Sequence, residues 1–128
     1  MRDLRLTVAI KKPASEVFAF TLNPENTPKW LDSVVVEEAS EYPVRVGTIY
    51  KNKDKNGVWS EYVVAEFVPD RLFMWDKKGS NYHVRYTFTP VEENACELEY
   101  YEWVDEGDIK EPFTMKILEK LKKVMETK

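Results

Sequence analysis

The sequence predicts an α+β protein in which a curved antiparallel sheet of six to seven strands wraps round a long C-terminal helix. Three observations carry this prediction. Residues 4–10, LRLTVAI, alternate strictly, with Leu4, Leu6, Val8 and Ile10 on one face, which is the period of a half-buried strand. Between Val46 and Val104 the strand-like runs are separated only by short turn signals, and connections that short make antiparallel neighbours. Near the end, Phe113, Ile117, Leu118, Leu121, Val124 and Met125 recur at three and four residues, the apolar stripe of an amphipathic helix of about four turns.

The elements follow in order. After the first strand, Pro13 suits a first helical position, and ASEVFAFTL reads as a short helix. Asn23-Pro24 stops it, because the residue before a proline is pushed out of the α region. PENTPKWLD reads as a further helical turn or two, and Ser33–Ser40 as a strand. Val46–Lys53 and Val58–Val68 are strands joined by Lys55-Asn56-Gly57-Val58, whose Asn-Gly pair marks a tight hairpin. Leu72–Lys77, Tyr82–Thr89 and Ala95–Val104 complete the meander. Asp108 to Glu111 has the spacing of a capping box, and Pro112 suits the first turn of the last helix. The order is β-α-α-β6-α.

That order has a physical consequence. Six or seven strands at about 4.8 Å spacing make a sheet roughly 30 Å wide. A helix covers a stripe of about 10 Å. The sheet must therefore curl round the helix, with the two short helices closing one opening and Trp30 plugging the point where lid meets strand. The space left between sheet and helix is filled by large side chains or is a cavity.

Length and composition exclude other classes. A chain of 128 residues favours one domain, 1–128, with a core that needs neither disulfide nor metal. The net charge of −4, with Lys and Glu interleaved, gives no basic face for nucleic acid. Cys96 is the sole cysteine, so no internal disulfide forms, and its place in a strand suggests a packed, inert thiol. The N-terminus is charged and alternating, unlike a signal peptide, and no apolar run reaches the ~18–20 residues of a membrane span. A cytoplasmic protein without membrane insertion is expected. One His and one Cys cannot make the usual zinc set, and the four glycines are scattered rather than gathered in a phosphate loop. No metal and no cofactor are implied.

The strings KKPASEVFAFTLNPENTPKW, VGTIYK, VVAEFVPDRLFMW and YTFTPVEENACELEY, closed by an amphipathic helix, resemble the START/Bet v 1-like (SRPBCC) superfamily. The nearest likeness is to its small bacterial polyketide cyclase/dehydrase-like proteins. The matching pieces are Pro13 before Val17-Phe18, Asn23-Pro24, Pro28-x-Trp30, Gly47, and Phe67-x-Pro69 before Arg71-Leu72. The resemblance covers nearly the whole chain. It implies a helix-grip fold and a ligand of lipid, sterol, quinone, polyketide or hormone type; a few members are enzymes, and a related group assists chaperones. It implies no shared catalytic residue. Where the family often opens the last strand with Gly-Thr, this chain has Ala95-Cys96, which implies a different cavity rim.

Strand alternation nominates the site. On Tyr82–Thr89 the apolar set is Tyr82, Val84, Tyr86 and Phe88, which puts His83 and Arg85 outside. On the last strand Cys96, Leu98, Tyr100, Glu102 and Val104 face inward. On Val58–Val68, Trp59, Val63, Ala65 and Phe67 share a face with Glu61. Glu102 and Glu61 are thus carboxylates on apolar faces, which must be paired, hydrogen-bonded or protonated unless a bulge breaks the alternation. They are the candidate general acid/base groups, with Tyr100 as a hydrogen-bond donor. The candidate ligand wall is Phe20, Trp30, Trp59, Tyr86, Phe88 and Leu98, with Tyr100, Phe113 and Ile117. Strand 72–77 is apolar on both faces, so its facing is ambiguous, and an exposed Trp75 would mark a homodimer contact. The expected function is binding of a small hydrophobic molecule. The alternatives are a cyclase or dehydratase using a cavity carboxylate, and a chaperone-assisting protein with a filled core.

Overall fold

A computed structural model describes residues 1–127. Among these, β1 (Arg2–Ile10) precedes α1 (Ala14–Leu22) and α2 (Thr27–Trp30). Then come β2 (Val36–Ala39), β3 (Ile49–Lys53), β4 (Trp59–Val68), β5 (Leu72–Lys77), β6 (Tyr82–Glu92), β7 (Ala95–Val104) and α3 (Met115–Glu126). The strands form one curved antiparallel sheet of seven, in the order β1-β7-β6-β5-β4-β3-β2. The helix-grip architecture is therefore borne out. No helix among the described residues is long and apolar enough to cross a membrane.

Helix α3 packs on β1 and α2 and buries Leu118, Leu121 and Met125 completely. Each such side chain contributes about 1.5–3 kcal/mol. The helix carries no side-chain N-cap bond and starts at Met115, one residue after its N-cap Thr114. This corrects the expected start: Asp108 caps nothing and instead pairs with Arg2 at 2.8 Å, while Pro112 and Phe113 precede the helix. Pro13 likewise sits one place earlier than expected, as the N-cap of α1. Tyr50 anchors the other end of α1, donating its hydroxyl to the Leu22 carbonyl at 2.5 Å.

One half of the grip is filled. Phe18 meets Phe67, Phe73 and Phe88 edge-on at 5.7, 5.8 and 5.4 Å between ring centroids. Ile10, Cys96 and Leu98 are fully buried beside them in the same core. Burial raises the Cys96 thiol, as befits a packed cysteine rather than a nucleophile. Cys96 lies in the core beside its partners Ile10 and Pro90, Ala95 is half-buried, and neither lines the cavity. Strand 72–77 is resolved too: Phe73 and Trp75 are buried between the half-buried Leu72, Met74 and Asp76. Trp75 is thus not the exposed mark of a homodimer contact.

Candidate functional site

The other half of the grip is open. Between the sheet, α2 and the start of α3 lies a cavity of about 810 Å³, within the usual range for small-molecule sites. Its walls include Trp30 of α2, Tyr62 of β4, Trp75 of β5, Tyr86 of β6, Tyr100 of β7 and Phe113. The rings brace one another: Tyr100 stacks on Phe113 at 3.8 Å, and Trp30 meets Phe113 at 6.2 Å. Tyr86 lies between Trp30 at 6.5 Å and Trp75 at 6.4 Å. Polar residues such as Asp54, Asn81, Lys110 and Glu111 reach the mouth.

Two carboxylates lie inside. Glu102, 1% exposed, accepts from the Tyr82 hydroxyl at 2.6 Å and the Tyr100 hydroxyl at 2.8 Å on one oxygen. Its other oxygen accepts from the Phe113 backbone N–H at 3.1 Å. It thereby pins the segment entering α3 against β7. Glu37 of β2 is also buried. It accepts from the Thr27 hydroxyl at 2.6 Å, and its second oxygen has a long 3.5 Å contact from Asn52. Burial pushes the Glu37 carboxyl up to about 7, against the smaller opposing pull of those two hydrogen bonds. Burial, with the charges of Glu37 and Glu102, also raises the Tyr62 and Tyr86 phenols, so both carboxylates act on the same interior.

The structure brings Trp30, Tyr86, Tyr100, Phe113, Ile117 and Glu102 together on this wall. Five other candidates require correction. Phe20, Phe88 and Leu98 are buried, but in the packed core rather than the cavity wall. Trp59 is 47% exposed and lies under the Lys53 ammonium on the outer face. Glu61 is corrected with it, since it reaches Lys51 at 3.5 Å, away from the cavity. The cause is a bulge in β4: the pairing with β5 shifts between Val64 and Glu66. Alternation read backward from Phe67 therefore inverts on crossing Ala65, and Ser60, Tyr62 and Val64 face inward instead.

Sequence reasoning missed Glu37, Tyr62, Trp75 and Tyr82. Tyr62 was hidden by the bulge, and Trp75 by a strand apolar on both faces. Tyr82 stood in the inward set of β6 without being singled out. Glu37 had only a weak signal, its alternation with Ala39 on a four-residue strand. His83 is on the outer face as expected, stacked on Trp103 at 5.0 Å. It is hydrogen-bonded to Asp76 at 2.6 Å and Asp105 at 3.1 Å. Burial pulls its pKa down, but those two carboxylates outweigh it and raise the pKa overall. Among the described residues no group of three or more His, Cys, Asp or Glu is placed to hold a metal ion.

Comparison with known proteins agrees with this architecture. A START superfamily protein from Mycobacterium smegmatis superposes with a TM-score of 0.71 at 13% identity, over 98% of this chain and 97% of that one. The Aha1 dimer from Colwellia psychrerythraea gives 0.72 at 17% identity, over 98% and 97%. The di-domain ARO/CYC BexL of the BE-7585A biosynthetic pathway gives 0.68 at 14% identity, over 81% of this chain and 36% of that one. At these identities the likeness is one of fold. No curated protein matches the sequence. The family model described as polyketide cyclase/dehydrase and lipid transport, however, matches residues 1–127. By that match across the curved sheet and the helix it grips, the chain belongs to the polyketide cyclase/dehydrase and lipid transport family.

Proposed function

We propose that the protein binds a small, mostly apolar molecule between the curved sheet and α3. The observation that carries this reading is the cavity of about 810 Å³ with aromatic walls and a few inward polar groups, the usual make-up of a small-molecule site. The family supports ligand binding without naming a ligand. A chaperone-assisting protein with a filled interior fits less well, because only one half of the grip is packed. The test is native against denaturing mass spectrometry of freshly purified protein, then titration with apolar fluorophores. A mass excess that leaves on denaturation, or saturable binding of a fluorophore at one site, is expected. A bare chain that binds none of them would overturn the reading.

A second reading, a cyclase- or dehydratase-type reaction, is favoured by one observation. Glu37 lines the cavity with its carboxyl near neutrality, where a group serves as acid or base with similar ease. Glu102 suits that role less, because three donors already occupy its oxygens. Under this reading Glu37→Gln abolishes turnover while apolar binding survives.

A further inference from the structure

The cavity has an aromatic side and a polar side, and the polar side is supplied mainly with acceptors. Strand pairing sets Glu37 of β2 opposite Asn52 of β3, and Asn52 opposite Ser60 of β4. Neighbouring strands lie about 4.8 Å apart, so the three side chains form a row, and all three line the cavity. Asp54, two residues beyond Asn52, lines it as well. Two donors on this side, the Thr27 hydroxyl and the Asn52 amide, are already turned to Glu37. The acceptors are less fully used. Glu37 is 8% exposed, and its Oε2 has only the long 3.5 Å contact from Asn52, although an ionised carboxylate offers about four lone-pair sites. Asp54 takes the Asn56 and Val58 N–H groups on Oδ1 alone. The hydroxyls of Ser60 and Tyr62, which line the same side, can accept as well as donate.

Charge points the same way. Six carboxylates line the cavity and its mouth, those of Glu37, Asp54, Glu102, Glu106, Asp108 and Glu111, against the two ammonium groups of Lys77 and Lys110. Asp108 is offset by Arg2; Glu37 is in no ion pair, and no lysine or arginine among the described residues lowers its pKa. Such a lining draws cations and repels anions. Resting on the binding reading above, we infer that the cavity takes cationic amphiphiles, molecules with an apolar, ring-sized body and a protonated amine, with Glu37 as the counter-ion. An ammonium donates three hydrogen bonds and accepts none, which suits the acceptors of the Glu37–Asn52–Ser60 row. The body lies against the half-buried Tyr62, Tyr82, Phe113 and Ile117 of the wall, and the aromatic faces favour a nearby cation. Removing the amine from water is costly, and an ionised Glu37 offsets that cost. Affinity for the cation therefore rises with pH through the range near 7 in which Glu37 ionises. The groups that face Glu37 are Thr27 of α2, Tyr50 and Asn52 of β3, Tyr62 of β4, Tyr86 of β6 and, across the cavity, Glu102 of β7. The nearby lysines are engaged elsewhere, Lys29 of α2 with Asn26, Lys51 of β3 with Glu61, and Lys53 of β3 over Trp59.

Three probes with one ring system test this: naphthylethylamine, naphthylethanol and naphthylpropanoate, which carry a cation, no charge and an anion. Each is titrated into the full chain by naphthalene fluorescence at about pH 6 and about pH 8, either side of the Glu37 carboxyl. An alkylamine titrates near 10 and a carboxylate near 4, so each probe keeps its charge at both values. At the higher pH the amine is expected to bind at least about tenfold more tightly than the alcohol, and the propanoate at least about tenfold more weakly. Between the two pH values the ionised fraction of a carboxyl near 7 grows from about a tenth to about nine tenths, so amine affinity rises about five- to tenfold. The alcohol changes by less than about twofold. Glu37→Gln removes the rise and brings the amine toward the alcohol's affinity, while retained binding of the alcohol shows that the cavity is intact. The wild-type comparison and its pH dependence stand even if the variant does not fold. Equal binding of amine and alcohol, tightest binding of the propanoate, or an amine affinity indifferent to pH overturns the inference and leaves the binding reading in place. Binding of none of the three overturns both.

Discussion

Glu37 and Glu102 are both buried yet differ in what they depend on. Glu102 has three donors on two oxygens. In Glu102→Gln the amide oxygen can keep the Phe113 N–H only if the NH2 turns to the two tyrosine hydroxyls, whose O–H groups must then turn away to accept from it; with its oxygen toward the tyrosines the NH2 meets the Phe113 N–H instead. A loss of roughly 1–3 kcal/mol is expected, read by denaturant unfolding, with faster hydrogen exchange at Phe113. Unchanged stability would show that the Glu102 bonds contribute nothing net. Glu37 behaves oppositely with pH. Folded, it gives up its proton near 7; the unfolded chain does so near 4.5. Between those values the folded state holds a proton that the unfolded state has lost, so stability falls as pH rises through the window. At about 1.4 kcal/mol per pH unit the fall reaches roughly 3 kcal/mol. His83, with its raised pKa, adds a slope of the same sign, so the useful comparison is wild type against Glu37→Gln. The variant should lose markedly less stability between about pH 4.5 and pH 8; parallel profiles would exclude Glu37 as the source. Of this pair, Glu102 was legible, because β7 alternates without interruption and its inward set came out correctly. Glu37 was not, because a four-residue strand gives alternation too few turns to stand out.

At the scale of elements, what escaped the sequence reading has local causes. A bulge leaves no mark of its own in WSEYVVAEFV, so Trp59 and Glu61 were assigned to the face they would occupy in an unbroken ladder. Asp108 to Glu111 has the letters of a capping box, but Phe113 is held before the helix by its stack on Tyr100 and its N–H bond to Glu102. Tertiary contacts outweigh the weak local preference there. Helix α3 therefore begins at Met115 without a side-chain cap, and its stability comes from the face it buries. Leu121, fully enclosed, is the central contact of that face. Leu121→Ala should cost about 2–5 kcal/mol, read as a lower denaturation midpoint with an unchanged slope. A cost below about 1 kcal/mol would mean that α3 can shift to refill the space.

At the scale of the molecule, the fold was legible because short connections leave few topologies and because one helix cannot cover seven strands. The same mismatch of widths creates the cavity: phenylalanines fill the half near Phe18, and tyrosines and tryptophans line the rest. Composition could not say which half would stay open, since both outcomes use aromatic residues. An occupant of the open half that binds only the folded chain adds to its stability by mass action. A ligand that binds only the folded state stabilises it by about 2.7 kcal/mol at a hundred times its Kd. For a chain of this length that raises the melting temperature by roughly 10 °C. Each further tenfold in free ligand adds about 1.4 kcal/mol. Thermal unfolding at increasing concentration of an apolar fluorophore that binds should therefore show a melting temperature that climbs with the logarithm of free ligand above the Kd found by fluorescence. A fluorescence signal without that climb would mean that the probe sits on the outer face or binds the unfolded chain as well, and not in the space between sheet and helix.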